Sequence, residues 1–523
     1  MTNSTKSPLK TLKIFIHAAA IILISAATFS CSEYPSEPVD YVNPYMGNIS
    51  HLLVPTYPTV HLPNSMLRFY PDRESYTSNT MRGFPLNVIS HRSGKIFNLA
   101  PAGDNAGDVR RLPGFSYDNE TITPYYYSVT LEEPLCDVKF APAAKSGFFS
   151  LSFPEDAHPG VVIRTTGQGE LIGQGNSISG FDTFNGVKTY LYLEFSPEPP
   201  AFDPAPDSRA VTAVFDDEKG SEINIRYGIS YIDTGQAKKN LQNDISGWNI
   251  GEVSSAARDK WNSVLSSVSI EGGTEQQKRV FYTSLYRCFE RMIDITEDGQ
   301  YFSVWSKRIE AANDTAFFTD DWVWDTYLAL HPLQLILNPG KQDEKLTSYI
   351  RMARQSGWMP TFPTVTGDNH AMNGNHSTAV FLDAWNKGIR GFDLEEAYEH
   401  LKNTILHETK LPWVKDSATW LDEFYDRGGF FPALRENEEE TCMKVHSFEK
   451  RQSVAVTLAT CYDDWCMAQM ARELGKEDDY NFFIKRSLNY RTLFNKETGF
   501  YHPKDSFGNW IEPFDYRYDG GLG

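Results

Sequence analysis

The sequence changes its hydrophobic periodicity near Gln236. Before this point, short segments rich in aromatic and β-branched residues are separated by clusters of Pro, Gly, Asn and Asp. The clearest strand segments are residues 125–131, 148–153, 160–164 and 188–195. After Gln236, apolar residues recur at helical spacing. A single hydrophobic core stops growing near ~250–300 residues, and this chain has 523 residues. The sequence therefore predicts at least two domains, a β-sandwich first and a helical domain second.

The helical part begins with a predicted linker. Residues 236–264 carry Ala, Leu and Trp at helical spacing among charges, and a short strand is predicted at 268–270. Thr274 with Gln277 forms a capping-box pattern that predicts the start of the first helix of the next domain. Further helices are predicted to begin at Trp322, Lys345, Gly374, Leu394, Glu449 and Asp478.

The predicted domains are a β-sandwich over 36–235, a helical linker over 236–270 and a helical domain over 271–523. Within the last, a helix beyond Glu449 has apolar residues on two sides. One stripe contains Val454, Leu458, Cys461, Trp465 and Ala468, and the other side carries Met467 and Met470. Apolar residues on both sides indicate an inner helix, as in a ring of helices inside another ring.

The N-terminus reads as a secretory signal over residues 1–31. Basic residues precede an apolar run at 14–29, which is too short for a comfortable membrane span. Ser30 and Cys31 follow as in a bacterial lipobox, which predicts lipidation of Cys31. The protein is then lipid-anchored in the periplasm or at the outer-membrane surface. The alternative is an ordinary secretory signal with an incidental cysteine.

Charge and cysteines exclude several classes of function. The net charge of −19 argues against nucleic acid and against an electrostatic hold on anionic lipid. The cysteines after Cys31 are odd in number and lack CxxC spacing, so they indicate neither a disulfide framework nor a zinc site. The oligomeric state is left open.

An acid–indole segment, residues 320–325, carries three Asp and two Trp at the start of an apolar run. Carboxylates hydrogen-bond sugar hydroxyls, and indole rings pack on the C–H faces of a pyranose. On a continuous helix, Asp321 and Asp325 lie one turn apart on one face, beside Trp324. The segment therefore predicts a sugar site. The alternative is a helix start capped by Thr319, with acids that satisfy free N–H groups.

Three more residues are candidates for sugar binding, each with a structural alternative. Asn375 and His376 open a predicted helix, but His376 also lies in a stripe that can be a solvated face. Trp358 is a possible sugar platform, although an aromatic residue after a turn glycine more often packs. For Asp463 and Asp464 we favour structural polar contacts, because buried acids are usually paired.

Several motifs together resemble glycoside hydrolase family 92, the calcium-dependent exo-acting α-mannosidases. Trp324, Asp325 and Thr326, followed by His331 and Pro332, are similar to the family's WDT…LHP helix. Similar family stretches occur at residues 271–274, 281–287, 357–360, 374–376, 387–393 and 462–469. The similarity covers nearly everything after Val42.

This resemblance implies an N-terminal β-sandwich, a helical linker and a C-terminal (α/α)6 toroid, with the site where the two domains meet. It implies calcium-assisted, inverting release of terminal mannose, such as α-1,2-linked mannose, from glycans. The terminal sugar is then bound by Trp324 and Asp325, with Asn375, His376, Asp321 and Trp358 as further candidates.

Two departures from the family pattern bear on function. The sandwich loops near residues 47–66 and 90–94 differ from the family's, which leaves open a different terminal sugar. The family's catalytic Glu and Asp, and most of its calcium ligands, have no counterpart before Gly523. The toroid is therefore expected to be incomplete here, with acid, base and metal ligands unassigned. A non-catalytic glycan-binding lipoprotein is the alternative.

Overall fold

The computed structural model describes residues 37–50, 55–90, 93–102, 114–155, 157–215 and 222–517. The predicted signal sequence and the lipidation of Cys31 lie outside these residues.

The first half of the chain is built from short antiparallel strands. They are β1 Val60–His61, β2 Arg68–Phe69, β3 Thr80–Met81, β4 Asn87–Ser90, β5 Ser93–Ile96, β6 Asn98–Ala102, β7 Phe115–Thr123, β8 Tyr126–Glu132, β9 Leu135–Pro142, β10 Ser146–Ser152, β11 Gly160–Arg164, β12 Glu170–Gln174, β13 Ser177–Phe184, β14 Val187–Ser196, β15 Ala201–Pro204, β16 Ala210–Val214 and β17 Glu222–Ser230. All four segments predicted as strands are strands.

Two sheets form a sandwich over one core. The larger has nine strands in the order β12-β13-β14-β17-β10-β9-β8-β7-β3, and the smaller has four in the order β15-β16-β11-β6. In β14 every second side chain from Val187 to Phe195 is buried, so one face points inward. Phe149 and Leu193 of the large sheet share a hydrophobic cluster with Ile163 of the small one. The β-first fold class is confirmed.

Two helices follow the sandwich and pack against it: α1 Thr234–Asp244 and α2 Ile250–Leu265. Asp233 caps the first by accepting a hydrogen bond from Gln236 N–H. The indole of Trp261 on α2 is fully buried, and its Nε1–H donates to the carbonyl of His61 at 2.7 Å. This contact joins α2 directly to the sandwich.

The second half is mainly helical. Its helices are α3 Glu275–Arg287, α4 Val323–Thr326, α5 Leu330–Leu337, α6 Pro339–Ser356, α7 Ser377–Asn386, α8 Leu394–His407, α9 Trp420–Gly428, α10 Ser453–Glu473 and α11 Glu477–Arg486. The remaining strands are β18 Ile293–Asp294, β19 Gln300–Ser303, β20 Arg308–Ala311, β21 Phe318–Thr319, β22 Pro363–Thr364, β23 Gly367–Asp368, β24 Phe494–Asn495 and β25 Phe500–Tyr501. Thr274 caps α3 in the predicted capping box with Gln277. The order of β-rich then helical parts agrees with the predicted fold class.

Several local predictions were wrong. The described chain has no strand at 268–270, and antiparallel strand pairs occupy part of the interval between α3 and α4 where only helix was expected. Helix α9 was not predicted. Thr319 is not a helix cap, because it lies in β21 paired with Ile293, while Trp322 occupies the cap position of α4.

The apolar run after Trp322 is two short helices rather than one. His331 Nε2 lies 2.7 Å from Asp321 Oδ2. Ten residues of continuous helix would separate these positions by ~15 Å, so the contact requires the break at 327–329 between α4 and α5. Asp321 and Asp325 consequently do not share a helical face.

Helix α10 packs against α7, α8 and α11. Buried residues lie on several sides of it, in agreement with an inner helix, but the predicted apolar stripe is wrong at Trp465, which is 43% exposed. Among the residues that the structure describes, no helix has both the length and the apolar character needed to span a bilayer.

Candidate functional site: an acid–indole segment between sandwich and helices

The acid–indole segment is anchored by Asp321, which has no exposed surface. Its carboxylate accepts hydrogen bonds from Trp322 N–H at 2.8 Å, Thr326 Oγ1 at 2.9 Å, His331 Nε2 at 2.7 Å and the hydroxyl of Tyr349. Burial alone would raise the pKa of Asp321, but His331 and these hydrogen bonds outweigh it and hold that pKa well below its usual range. The predicted sugar contact of Asp321 is therefore replaced by an anchoring role.

His331 is itself held in place from the other side. Gln342 Nε2 lies 2.7 Å from His331 Nδ1, so Gln342 holds the side of the ring that faces away from Asp321. Lys345 is buried nearby, and burial lowers its pKa to about 8, although Asp321 acts in the opposite direction. Asp321 is thus the centre of a dense polar network that fixes the start of α4.

Trp324 and Asp325 face outward from that anchor. Trp324 is 37% exposed and Asp325 is also exposed, whereas Val323 and Thr326 on the same turn are buried. The short helix therefore presents one indole and one carboxylate to solvent side by side. An indole can pack on the C–H face of a sugar, and a carboxylate can accept hydrogen bonds from its hydroxyls.

His376 lies beside this segment through Tyr327, which directly follows α4. The two rings stack with centroids 4.2 Å apart at 29°. His376 Nδ1 lies 2.9 Å from Asp463 Oδ1, and Asp463 also accepts from Thr378 Oγ1 at 3.0 Å. Asp463 thereby orients the imidazole, in agreement with the predicted structural contact. The half-exposed Tyr462 lies within 6.1 Å of both rings.

Asn375 is buried next to a small cavity. Its N–H donates to Asp463 Oδ2 at 2.6 Å. The cavity measures about 10 Å³, which is room for roughly one water molecule and far below the ~300–1,000 Å³ of a ligand pocket. It is lined by His370, Gly374, Asn375, Ile405, Thr409, Lys410, Thr460 and Asp463. The exposed side chains of Trp324 and Asp325 are therefore a better place for a sugar than this cavity.

Trp358 precedes a stretch that contacts the acid–indole segment, where the N–H of Asp321 donates to the carbonyl of Pro363 at 2.8 Å. Trp358 follows the end of α6, half-buried, with its N–H held by Ser356 Oγ at 3.1 Å, and Met359 beyond it is tied to Thr404 of α8. Its ring stacks on none of the site's aromatic rings within the described chain. The role of Trp358 as a sugar platform stays a prediction.

The helical half contributes two residues to the site that the sequence did not single out, Arg291 and Tyr327. The guanidinium carbon of Arg291 lies 3.9 Å from the ring centroid of Trp322. The carbonyl of Arg291 accepts from Asn64 Nδ2 at 3.1 Å, and Asn64 belongs to the sandwich. Arg291 and Tyr327 carry no local sequence signal, because they act through partners distant in the chain.

A second buried polar cluster lies beyond the small cavity. Lys415 Nζ lies 2.9 Å from Glu408 Oε1 and 2.8 Å from Asp368 Oδ2. Burial raises the pKa of Glu408 to about 7, and Lys415 only partly opposes this shift. Burial also lowers the pKa of His370 to about 4, so this imidazole is neutral near pH 7.

The donor side chains of the described residues bear on metal binding. They contain no group of three or more His, Cys, Asp or Glu side chains arranged to hold a metal ion. Calcium is also bound by backbone carbonyls, amide oxygens and water, so its predicted role in this protein stays a prediction. We assign no calcium ligand and derive no step through calcium.

Comparison with protein families decides the relationship. Residues 41–230 match the glycosyl hydrolase family 92 N-terminal domain, and residues 236–522 match the glycosyl hydrolase family 92 catalytic domain. The chain belongs to glycosyl hydrolase family 92. This confirms the resemblance that the motifs around Trp324 indicated.

Solved structures of family 92 share this fold. An inverting mannosidase of Bacteroides thetaiotaomicron VPI-5482 is 28% identical, with a TM-score of 0.81, covering 92% of this chain and 69% of that one. An α-mannosidase of the same species is 24% identical, with a TM-score of 0.80, covering 93% and 70%. It has also been solved in complex with mannoimidazole.

A curated relative extends the family 92 comparison. An uncharacterized secreted glycosidase of Arthroderma benhamiae (strain ATCC MYA-4681 / CBS 112371) is 23% identical over 305 residues, which cover 57% of this chain. The match spans about a third of that relative, 34% of its length.

Proposed function

We propose that the protein is an exo-acting α-mannosidase that hydrolyses terminal α-mannosides, such as α-1,2-linked ones, with inversion of configuration. The observation that carries the proposal is the exposed pair Trp324 and Asp325, held rigidly by a buried anchor in a chain of family 92. The 28% identical inverting mannosidase supports both the sugar and the stereochemistry.

In this proposal, the residues of the site bind and orient the terminal sugar. Asp325 accepts hydrogen bonds from ring hydroxyls, and the indole of Trp324 packs on a C–H face. His376 is 5% exposed, oriented by Asp463 and stacked on Tyr327, and we assign it a further polar contact through its second ring nitrogen. Asp321 positions the segment without touching the sugar. The acid and base of the inverting reaction are assigned to no residue of this chain.

The test is release of free mannose from α-linked mannobiosides by the full-length protein. Proton NMR of the first product identifies the anomer, and inversion gives β-mannose from an α-mannoside. Asp325→Ala is expected to lower kcat/KM by about 100-fold while leaving the unfolding midpoint within 2 °C. Binding of mannosides without hydrolysis would instead support a glycan-binding protein.

Calcium assistance and anchoring are separate parts of the proposal. Removal of calcium with a chelator is expected to abolish mannose release, and calcium alone should restore it. Lipid anchoring at Cys31, with the protein facing the periplasm or the cell exterior, predicts palmitate labelling that Cys31→Ser abolishes. The division into a sandwich, a helical linker and a helical domain at residues 235 and 270 is retained as part of this proposal.

A further inference from the structure

Arg68 is a fully buried cation that joins the sandwich to the acid–indole segment. It lies in β2, is 1% exposed, and its Nη1 lies 2.5 Å from Oδ2 of Asp320, which has no exposed surface. Its Nε donates to the carbonyl of Val88 at 3.2 Å, and its Nη2 donates to that of Ile89. One planar guanidinium therefore fixes the backbone of β4 and the residue just before Asp321.

A second contact from the same stretch of sandwich supports the segment. Asn64 Nδ2 donates to the carbonyl of Arg291, and the guanidinium of Arg291 covers the ring of Trp322. The sandwich thus holds the segment at two places, at Asp320 through Arg68 and at Trp322 through Arg291. Trp324 and Asp325 follow within five residues of the first of these contacts.

The Arg68–Asp320 pair is poorly explained by stability alone. Burying two charges carries a desolvation cost that a well-packed apolar pair avoids, so such pairs are often no more stabilising than hydrophobic replacements. Asp320 also has a φ of 69°, in the left-handed region, and its Oδ1 has no hydrogen-bond partner among the described residues. Burial opposes the charge on Arg68, but Asp320 and Glu290 outweigh it and raise the pKa of Arg68 above its usual value.

We propose that Arg68 is a positioning residue of the sugar site, which sets the place of Trp324 and Asp325 relative to the sandwich through Asp320. The geometry suits arginine alone, because the contacts to Val88, Ile89 and Asp320 need three donors in one rigid plane. Lysine can replace the charge but not this arrangement. The inference rests on the proposed mannosidase function for its activity readout.

The test separates positioning from stability with three variants. Arg68→Met leaves Asp320 buried and unpaired, so its unfolding midpoint should fall by several degrees. In Arg68→Met/Asp320→Asn both charges are removed, and asparagine tolerates the left-handed backbone at this position. We expect the midpoint to recover in part, because Glu290 stays buried without the cation that it faces, while kcat/KM for an α-mannobioside stays at least 10-fold below that of the wild type.

Arg68→Lys provides a second route should the double variant fold poorly. It keeps the ion pair with Asp320 but loses the contacts to β4, so we expect a folded protein with kcat/KM at least 5-fold reduced. A folded Arg68→Lys protein with wild-type activity would overturn the proposal. So would a double variant that regains stability and activity together.

A crystal structure of the best-folded variant provides a readout that does not depend on activity. We expect Trp324 and Asp325 to move by more than 1 Å relative to β4. If the wild type cleaves no mannoside but the displacement is seen, the proposed function fails and the positioning role stands. If the wild type is active and neither position nor rate changes in the variant, the positioning role fails.

Discussion

Replacing Asp321 by alanine should destabilise the helical part of the protein strongly. Asp321→Ala leaves His331 and Tyr349 as buried donors without their shared acceptor, whereas the hydroxyl of Thr326 keeps the carbonyl of Trp322 at 3.0 Å as an acceptor. Each unpaired buried donor costs about 1–3 kcal/mol, and relaxation makes the losses less than additive. We therefore expect a loss of about 3–5 kcal/mol in the free energy of unfolding.

The assay is urea unfolding followed by far-UV circular dichroism, with Asp325→Ala as the matched control. Asp325 is an exposed aspartate four residues away, so its truncation should change stability by less than about 0.5 kcal/mol. The two variants are thus expected to show different defects. Asp321→Ala should unfold at a lower urea concentration than the wild type, whereas Asp325→Ala should fold normally but lose mannose release.

The pH dependence gives an additional check. Because the folded-state pKa of Asp321 lies below its ordinary value of 3.8, its contribution to stability is complete above about pH 4 and is lost only as the pH falls further. Asp321 itself should therefore add no slope to the deficit of Asp321→Ala between pH 5 and pH 8, and any slope in that range reports the titration of Lys345, whose pKa Asp321 raises. An Asp321→Ala protein within 1 kcal/mol of the wild type would refute the anchoring role.

Three further predictions concern the groups around the site. Asp463→Asn should disturb the imidazole of His376 and lower kcat/KM for mannosides by about 10-fold, whereas unchanged kinetics would detach His376 from the site. Burial raises the pKa of Glu408 from an ordinary 4.5 to about 7 in the folded protein. The free energy of unfolding of the wild type should therefore fall by up to about 3 kcal/mol relative to Glu408→Gln as the pH rises from 4.5 to 7. Parallel plots of stability against pH for the two proteins would contradict this. The pKa of Lys345 is lowered from an ordinary 10.5 to about 8 in the folded protein. The free energy of unfolding of the wild type should therefore rise between pH 8 and 10.5 relative to Lys345→Met. The same dependence of stability on pH in both proteins, measured by urea unfolding, would contradict this.

The sequence predicted elements whose cause is local. Strand segments such as Gly160–Arg164 and the capping box at Thr274 depend on neighbouring residues, and both appear as expected. The break between α4 and α5 was missed because its cause is a tertiary contact, from His331 back to Asp321. A helical pattern in the sequence cannot show that a polar side chain will compete with helix continuation.

The site follows the same division. A short motif singled out Trp324 and Asp325, the structure shows that both are exposed, and their proposed role as sugar ligands remains a prediction. The roles of Arg291 and Tyr327 come from partners far away in the chain, namely Asn64 and His376. Pairings over such distances leave no periodicity in a single sequence, so they appear only in the folded structure.

The Arg68–Asp320 contact also affects how the protein reaches its folded state. The two residues are 252 positions apart, so the sandwich cannot neutralise its own interior cation when it folds alone. In a separately expressed sandwich, this guanidinium would be hydrated or unpaired, which would lower the stability of the sandwich. The two halves should therefore behave as one cooperative unit. Chimeras that exchange sandwiches between relatives should fold only when the residues at positions 68 and 320 still form the arginine–aspartate pair.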